Sequence, residues 1–306
     1  MITTHTTFVI GAGASVPYGL PTGKELAKRA RKLTPKDAGY QLILSQGVEP
    51  GLLSAFLRDL TQHGGESIDE FLEQRQDSPE TMKIGRLLIA GLMGEAMARP
   101  RQRDQSDDWL AYLLGKMRRG TKDIAQYAER NAGVYFVTFN FDSVLEDRFH
   151  EEFSTSFHEG VMLDEMTEDR FHTGRVIHVH GRLPSAPEVP LEHDTLSGFS
   201  PGWRQWIAGA ASHVHVVHDE IDPKIVSKAR DVLNASSIIC FLGFAYDRVN
   251  LARLDLLSGV RSRTKFYGSA FELPQGEQEV MMGRMPIKIV DEKCSAALKK
   301  FAIFKD

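Results

Sequence analysis

The sequence predicts an α/β protein: a Rossmann-like, six-stranded parallel sheet carrying a helical insertion. Two observations predict it. Four buried-strand patterns run straight into polar or glycine clusters: TFVIGAGAS (7–15), VYFVTFNFD (134–142), VIHVHG (176–181) and IICFLGFAYD (238–247). The last third of the chain then alternates short apolar runs with helical patterns, as parallel βαβ units do. In an open parallel sheet ligands bind beyond the carboxyl ends of the strands. The four strand ends would bring glycines, Asn140, Asp142, Asp247 and His180 to one crevice.

The elements follow in order. A strand over about 6–11 leads to a glycine turn and a helix near 23–33. Residues 36–130 hold no convincing strand and show helical spacing instead, with Leu87, Leu88, Met93 and Met97 on a core-facing stripe and Pro79 at a helix start. Strands return at 134–139 and 175–180, and a Pro-, Ser- and Gly-rich loop fills 182–205. A helix at 222–234, a strand at 237–243, a helix at 248–258, a strand at 264–268, a helix at 275–284, a strand at 286–290 and a terminal helix from about 292 complete the chain. The expected organisation is a single domain over 1–306, with a sheet core of 1–35 and 131–306 and a helical insertion of 36–130.

Bulk properties exclude several classes. The 306 residues are 42% hydrophobic and 25% charged, with a net charge of −4, so nothing draws the chain to nucleic acid or to an anionic membrane. No run of about eighteen apolar residues exists, and the N-terminus has no basic segment or cleavage site of a secretory signal. With two cysteines, Cys240 and Cys294, a reduced, cytoplasmic protein is expected. The His213–His218 segment does not place three ligands on one strand face, and no metal site is expected there. The basic stretches 99–103 and 116–122 read as solvated surface.

Gly11-Ala12-Gly13-Ala14-Ser15 sits between a strand and a helix. Glycines there let the backbone turn tightly and approach a pyrophosphate, and a helix N-terminus supplies free N–H groups. A dinucleotide fingerprint would carry a third glycine at 16, where Val16 stands. A ligand-free tight turn is the alternative reading of these five residues.

The ordered set of motifs resembles the sirtuin (SIR2) superfamily. GAGAS followed by Gly19, Pro21 and Thr22 is similar to the opening GAGxS…GxPDFR. Thr138 to Asp142 resembles TQNID, His180-Gly181 resembles the catalytic His-Gly, and Gly243 to Asp247 resembles the late glycine turn beside the adenosine half of NAD+. The resemblance runs from residue 8 to about 290. Two departures mark the subclass: the chain has no cysteine between 1 and 239, where deacylases place two Cys-x-x-Cys zinc pairs, and Thr22-Gly23-Lys24 replaces Asp-Phe-Arg. That combination resembles the zinc-less SIR2-like NADase domains of bacterial antiphage systems.

The resemblance implies NAD+ as substrate, no zinc, and hydrolysis to nicotinamide and ADP-ribose. It implies Asn140 at the nicotinamide ribose and attacking water, Asp142 at the carboxamide, and His180 as general base toward a ribose hydroxyl or water. It places the cofactor against Gly11, Ala12, Gly13, Ser15, Gly19, Pro21, Thr22, Gly243 and Phe244, with phosphates on Ser15 and the amides of 12–15. Asp247 has two readings, a helix cap, slightly favoured, and a ribose contact. The alternative functions are an NAD- or ADP-ribose-binding regulatory subunit, a protein deacylase and a nuclease subunit. An NADase must be restrained in its host, so a homo-oligomer built on the apolar helices of 36–130 is expected, or a partner such as a HerA-like ATPase or an Argonaute-type protein, with 182–205 as a gate over the crevice.

Overall fold

The computed structural model describes residues 2, 4–65, 67–99, 103–157, 175–187, 201–216, 219–256, 263–301, 303 and 304. Residues 188–200 of the expected gate and His218 lie outside the described residues. The chain divides into two compact units: Met1–Tyr18, Arg103–Val179 and Ile221–Asp306 form one, and Gly19–Gln102 with His180–Glu220 form the other.

The first unit is the sheet. Its strands are β1 (Thr6–Ile10), β2 (Val134–Thr138), β3 (Val176–His178), β4 (Ile238–Leu242), β5 (Lys265–Ser269) and β6 (Ile287–Val290). All pairs are parallel and the order is β3-β2-β1-β4-β5-β6. This is the doubly wound Rossmann order, whose direction reverses between β1 and β4. Strands this apolar need cover on both faces. On one face Val9, Val137, Ile177, Ile239 and Phe241 pack with Ala229 and Leu233 of the helix Pro223–Ala235, Leu251 of Arg248–Arg253 and Met281 of Gln275–Arg284. On the other, Phe8 stacks on Phe136 at 5.3 Å between ring centres, and Phe136 meets Phe149 edge-on at 5.5 Å.

Phe149 belongs to the helix Val144–Ser156, which the sequence reading did not anticipate. Its buried residues Val144, Leu145, Arg148, Phe149 and Phe153 recur at helical spacing among a dense set of charges. Arg148 is held by Asp108 and Glu151, and Arg103 forks onto both oxygens of Glu151. The helices Trp109–Arg118 and Ile124–Arg130 also belong to this unit. Trp109 Nε1 donates to the carbonyl of Ala14 at 2.7 Å, and the Tyr18 hydroxyl donates to Asp108 at 2.8 Å. The expected insertion of 36–130 therefore divides, because residues 103–130 are bound to the sheet's own glycine turn.

The second unit is helical. Its long axis element, Pro79–Ala98, starts on Pro79 with Ser78 capping Thr81, and packs against Gly23–Ala30, Ala38–Leu44, Pro50–His63, Ile68–Glu73 and Pro201–Ser212. The last of these begins inside the stretch read as loop and carries Trp203, Ile207 and Ala210 inward at helical spacing. Close approach explains Gly94: a Cβ there would lie 2.3 Å from the Trp206 ring. Leu87, Leu88 and Met93 are buried as the stripe predicted, and Met97 is half-buried. Among the described residues of 36–130, Leu52 is the one large apolar side chain that stands exposed. The other described large apolar side chains of that stretch are buried or half-buried.

Candidate functional site at the switch point of the sheet

The register sets the site. Ile10 is level with Thr138 on one side and Leu242 on the other, and Thr138 is level with His178. Gly11, Asn140 and Gly243 consequently emerge together where the strand order reverses. Gly11 N–H donates to Leu242 O at 3.0 Å and Gly13 N–H to Gly243 O at 2.9 Å. The two turns touch backbone to backbone. A Cβ on Gly11 would lie 2.5 Å from Gly243 O, and one on Gly243, whose φ is +56°, would lie 1.9 Å from Ala14 N. Only glycine fits such a crossing.

Residues Ala12–Tyr18 wind into a 3-10 turn, with Ala14 N–H bonded to Gly11 O at 3.0 Å. The amides of Gly13 and Ala14 are thus already engaged. This differs from the expected cradle, in which all amides of 12–15 face phosphates.

Ser15 is the hub of a buried network. Its hydroxyl donates to Asp142 Oδ2 at 2.8 Å and accepts from Asn140 Nδ2 at 2.9 Å. Asn140 Nδ2 also donates to Gly11 O at 3.1 Å, and Asp142 Oδ1 accepts from Val144 N–H at 3.0 Å. Both Asp142 oxygens therefore have protein partners, one tying the glycine turn and the other the start of the helix Val144–Ser156. That is a bracing role beside the carboxamide contact expected of it. Burial pushes the Asp142 carboxyl above the ordinary carboxylate range, against the Val144 amide, the Ser15 hydroxyl and His178, which pull it down.

In the late turn, Gly243 N–H donates to Ser269 Oγ at 3.0 Å, and the Tyr246 hydroxyl donates to Ser269 O at 3.0 Å. Tyr246 sits at φ +57°, an unusual conformation for a bulky residue. Phe244 is buried against Phe139 and Phe241. Asp247 caps the helix Arg248–Arg253 by accepting from Asn250 N–H at 2.9 Å, which is the cap reading.

The sequence reading passed over one pair. His178 Nε2 lies 2.8 Å from Glu146 Oε1, and His178 Nδ1 lies 3.1 Å from the Asn140 carbonyl oxygen. The missing signal was the helix Val144–Ser156, without which Glu146 had no place beside β3.

Gly19, Pro21, Thr22 and His180 belong to the helical unit. Thr22 caps the helix Gly23–Ala30 in a reciprocal box with Glu25. Pro21 is buried and Gly19 takes φ +80°. His180 is buried, and its carbonyl accepts from His215 N–H at 3.1 Å. A Cβ on Gly181 would meet His213 O at 2.3 Å, so glycine follows His180 because the 213–215 segment crosses it. That segment is irregular, not a strand. Among the described residues no group of three His, Cys, Asp or Glu side chains is placed to hold a metal. No described helix is long and apolar enough to cross a membrane.

No family model matches the chain, and no curated protein matches it. Among solved structures, a SIR2 homolog in complex with NAD is similar at a TM-score of 0.45 and 14% identity, over 97% of this chain and 88% of that one. A Sir2 homologue mutant in complex with 2'-O-acetyl ADP ribose is similar at 0.41 and 13%, over 96% and 89%. A SIR2 in complex with the inhibitor EX-527, 2'-O-acetyl-ADP-ribose and a deacetylated p53 peptide is similar at 0.38 and 12%, over 96% and 91%. The site is made of the chain's own residues: a glycine crossing packed backbone to backbone, one amide side chain held rigidly at a strand end, and a buried carboxyl joined to that amide through Ser15.

Proposed function

We propose that this chain binds NAD+ at the switch point between β1 and β4 and hydrolyses its nicotinamide–ribose bond. One observation carries the reading: Asn140 is locked by Gly11 O and Ser15 Oγ at the end of β2, beside the glycine crossing. A rigidly oriented amide at a strand end is what positioning of a ribose and a water requires. The water oxygen bonds to C1' of the nicotinamide ribose. The C–N bond breaks and its electron pair goes to the ring nitrogen, so nicotinamide leaves neutral and needs no strong acid. In the role that the resemblance gives it, His180 takes the water's proton as general base. Fixed dipoles stabilise the oxocarbenium-like transition state.

A second reading is an NAD- or ADP-ribose-binding regulatory subunit with little turnover. It is favoured by the engagement of both Asp142 oxygens with Ser15 and Val144, which reduces the side chains left for chemistry. Calorimetry with NAD+ and ADP-ribose, run beside an assay of nicotinamide release, separates the two: binding without release supports the second.

The place of such an activity would be antiphage defence by depletion of NAD+. The resemblance to zinc-less SIR2-like NADase domains supports that context, in which self-assembly or a HerA-like or Argonaute-type partner restrains the enzyme. Light scattering coupled to the NAD+ assay across protein concentration tests it. A monomer working at full rate alone rejects the restraint.

A further inference from the structure

His178 points away from the sheet face that Ile177 occupies. Ile177 packs with Ala229 and Leu233, so the alternation of a strand turns His178 toward the helix Val144–Ser156. Both of its ring nitrogens have partners, and both partners are acceptors. The Asn140 carbonyl oxygen at 3.1 Å can only accept, so Nδ1 carries a hydrogen. The Glu146 oxygen at 2.8 Å accepts when ionised, so Nε2 then carries one too. If Glu146 is protonated, its O–H donates to Nε2. A proton lies in the 2.8 Å contact in either case. The two side chains are only 12% and 14% exposed, which leaves little water to replace a lost contact.

We infer that His178 is the positioning residue for Asn140, and that the proton it shares with Glu146 is what holds Asn140 in place. The inference rests on the proposed role of Asn140. Without that proton, a neutral imidazole has one N–H between two acceptors. Either the Glu146 contact or the Asn140 contact becomes lone pair against lone pair. The buried Asp142 carboxyl, in the turn after β2, acts on the pair through its charge. Arg175, at the start of β3, binds the carbonyls of Asn131 and Ala128. Across β3, the helix Pro223–Ala235 exposes Lys224, Lys228, Arg230 and Asp231 to solvent. On the helix of Glu146, Asp147 takes Ser143, and Arg148 takes Asp108 and Glu151. β2 offers Thr138, which is uncharged. A displacement of about 1 Å at a positioning group costs on the order of 10²-fold in rate.

The test uses the full chain, labelled with 15N at histidine and backbone, and its Glu146→Gln and His178→Ala variants. In Glu146→Gln the amide NH2 donates to Nε2, so a neutral His178 keeps its Nδ1–H on Asn140. The wild-type should lose kcat, with KM nearly constant, as alkaline pH removes the shared proton. Glu146→Gln should retain activity and lack that alkaline limb. His178→Ala should lose about tenfold or more in kcat at every pH. An unchanged alkaline limb in Glu146→Gln, or wild-type turnover in His178→Ala, overturns the inference. If no variant hydrolyses NAD+, the proposed function fails, and NMR decides separately. Backbone signals of Asn140 and Gly11 should move with the His178 imidazole titration in the wild-type and stay still in Glu146→Gln. An imidazole titration with no response at Asn140 rejects the inference.

Discussion

Ser15 and Asp142, 127 residues apart in the chain, are joined by a buried 2.8 Å hydrogen bond that ties the turn after β1 to the turn after β2. Asn140 closes the same circuit through the Ser15 oxygen and Gly11 O. The geometry of the candidate site is thus fixed before any ligand arrives, as electrostatic preorganisation requires.

Asn140→Ala should abolish nicotinamide release and lower stability together. The side chain donates two buried hydrogen bonds; its loss takes the donor from Ser15 Oγ, while Gly11 O keeps the Ala14 N–H. A buried acceptor left unpaired costs about 1–3 kcal/mol. Nicotinamide release and a thermal melt, taken on one preparation, read both effects. Unchanged release would remove Asn140 from the mechanism. An unchanged melt would show that the bond to the glycine turn contributes nothing.

Asp142 makes a pH prediction whose sign follows from its raised pKa. The folded state holds the proton more tightly than the unfolded chain, where an aspartate titrates near ~3.9. Its favourable contribution is therefore complete below that value and is lost as pH rises through the raised folded value. Asp142→Asn should remove this loss, because Asn cannot ionise and still accepts from Val144 N–H. The drop in unfolding free energy from about pH 4 upward should be smaller in Asp142→Asn than in the wild-type, measured by urea melts at matched pH. An equal or steeper drop contradicts the assignment.

The six strands were legible because each is a short apolar run that ends on a polar or glycine residue, and the parallel core leaves no solvent face to blur that signal. All six lie within a residue or two of where the pattern put them at their starts, from Thr6 to Ile287. Two helices were not. Val144–Ser156 hides a stripe of Val144, Phe149 and Phe153 under four acidic residues and a histidine, and Pro201–Ser212 carries Gly202 and Gly209, both poor helix formers. Tertiary packing overrides those local signals. The error propagated to the site: without the first helix, Glu146 could not be placed against His178. The division of 36–130 was hidden for a similar reason, since the bond from Trp109 to Ala14 O spans 95 residues and leaves no local trace.

The glycine crossing separates two kinds of glycine. Gly243→Ala should destabilise by several kcal/mol and abolish ligand binding, because its φ of +56° alone costs an alanine about 1–2 kcal/mol and the new Cβ would drive into Ala14 N at 1.9 Å. Gly47→Ala, at φ +74° with nothing within 4 Å, should show only the conformational cost, about 1–2 kcal/mol. Urea midpoints of both variants give the contrast. Equal effects would mean that the turn after β4 can retreat from Ala14, and that the crossing is not rigid.

His180→Ala should reduce turnover far more than NAD+ affinity. The histidine follows β3 by two residues, is buried, and precedes a glycine that φ +85° and the His213 carbonyl both demand. Backbone so constrained fixes the point from which the imidazole projects, as a base needs. Removing a general base costs about 10²–10⁴ in rate, whereas a binding contact would raise KM with kcat unchanged. Steady-state kinetics with calorimetric affinity for NAD+ distinguish the two. Turnover near the wild-type value would make His180 a packing residue, and the proton of the attacking water would then have to leave by another route. Because His178 is held by Glu146 and the Asn140 carbonyl, it is not free to substitute, and the double variant His178→Ala/His180→Ala should therefore fall below either single variant. A double variant no worse than His180→Ala alone would mean that the two histidines act on the same step.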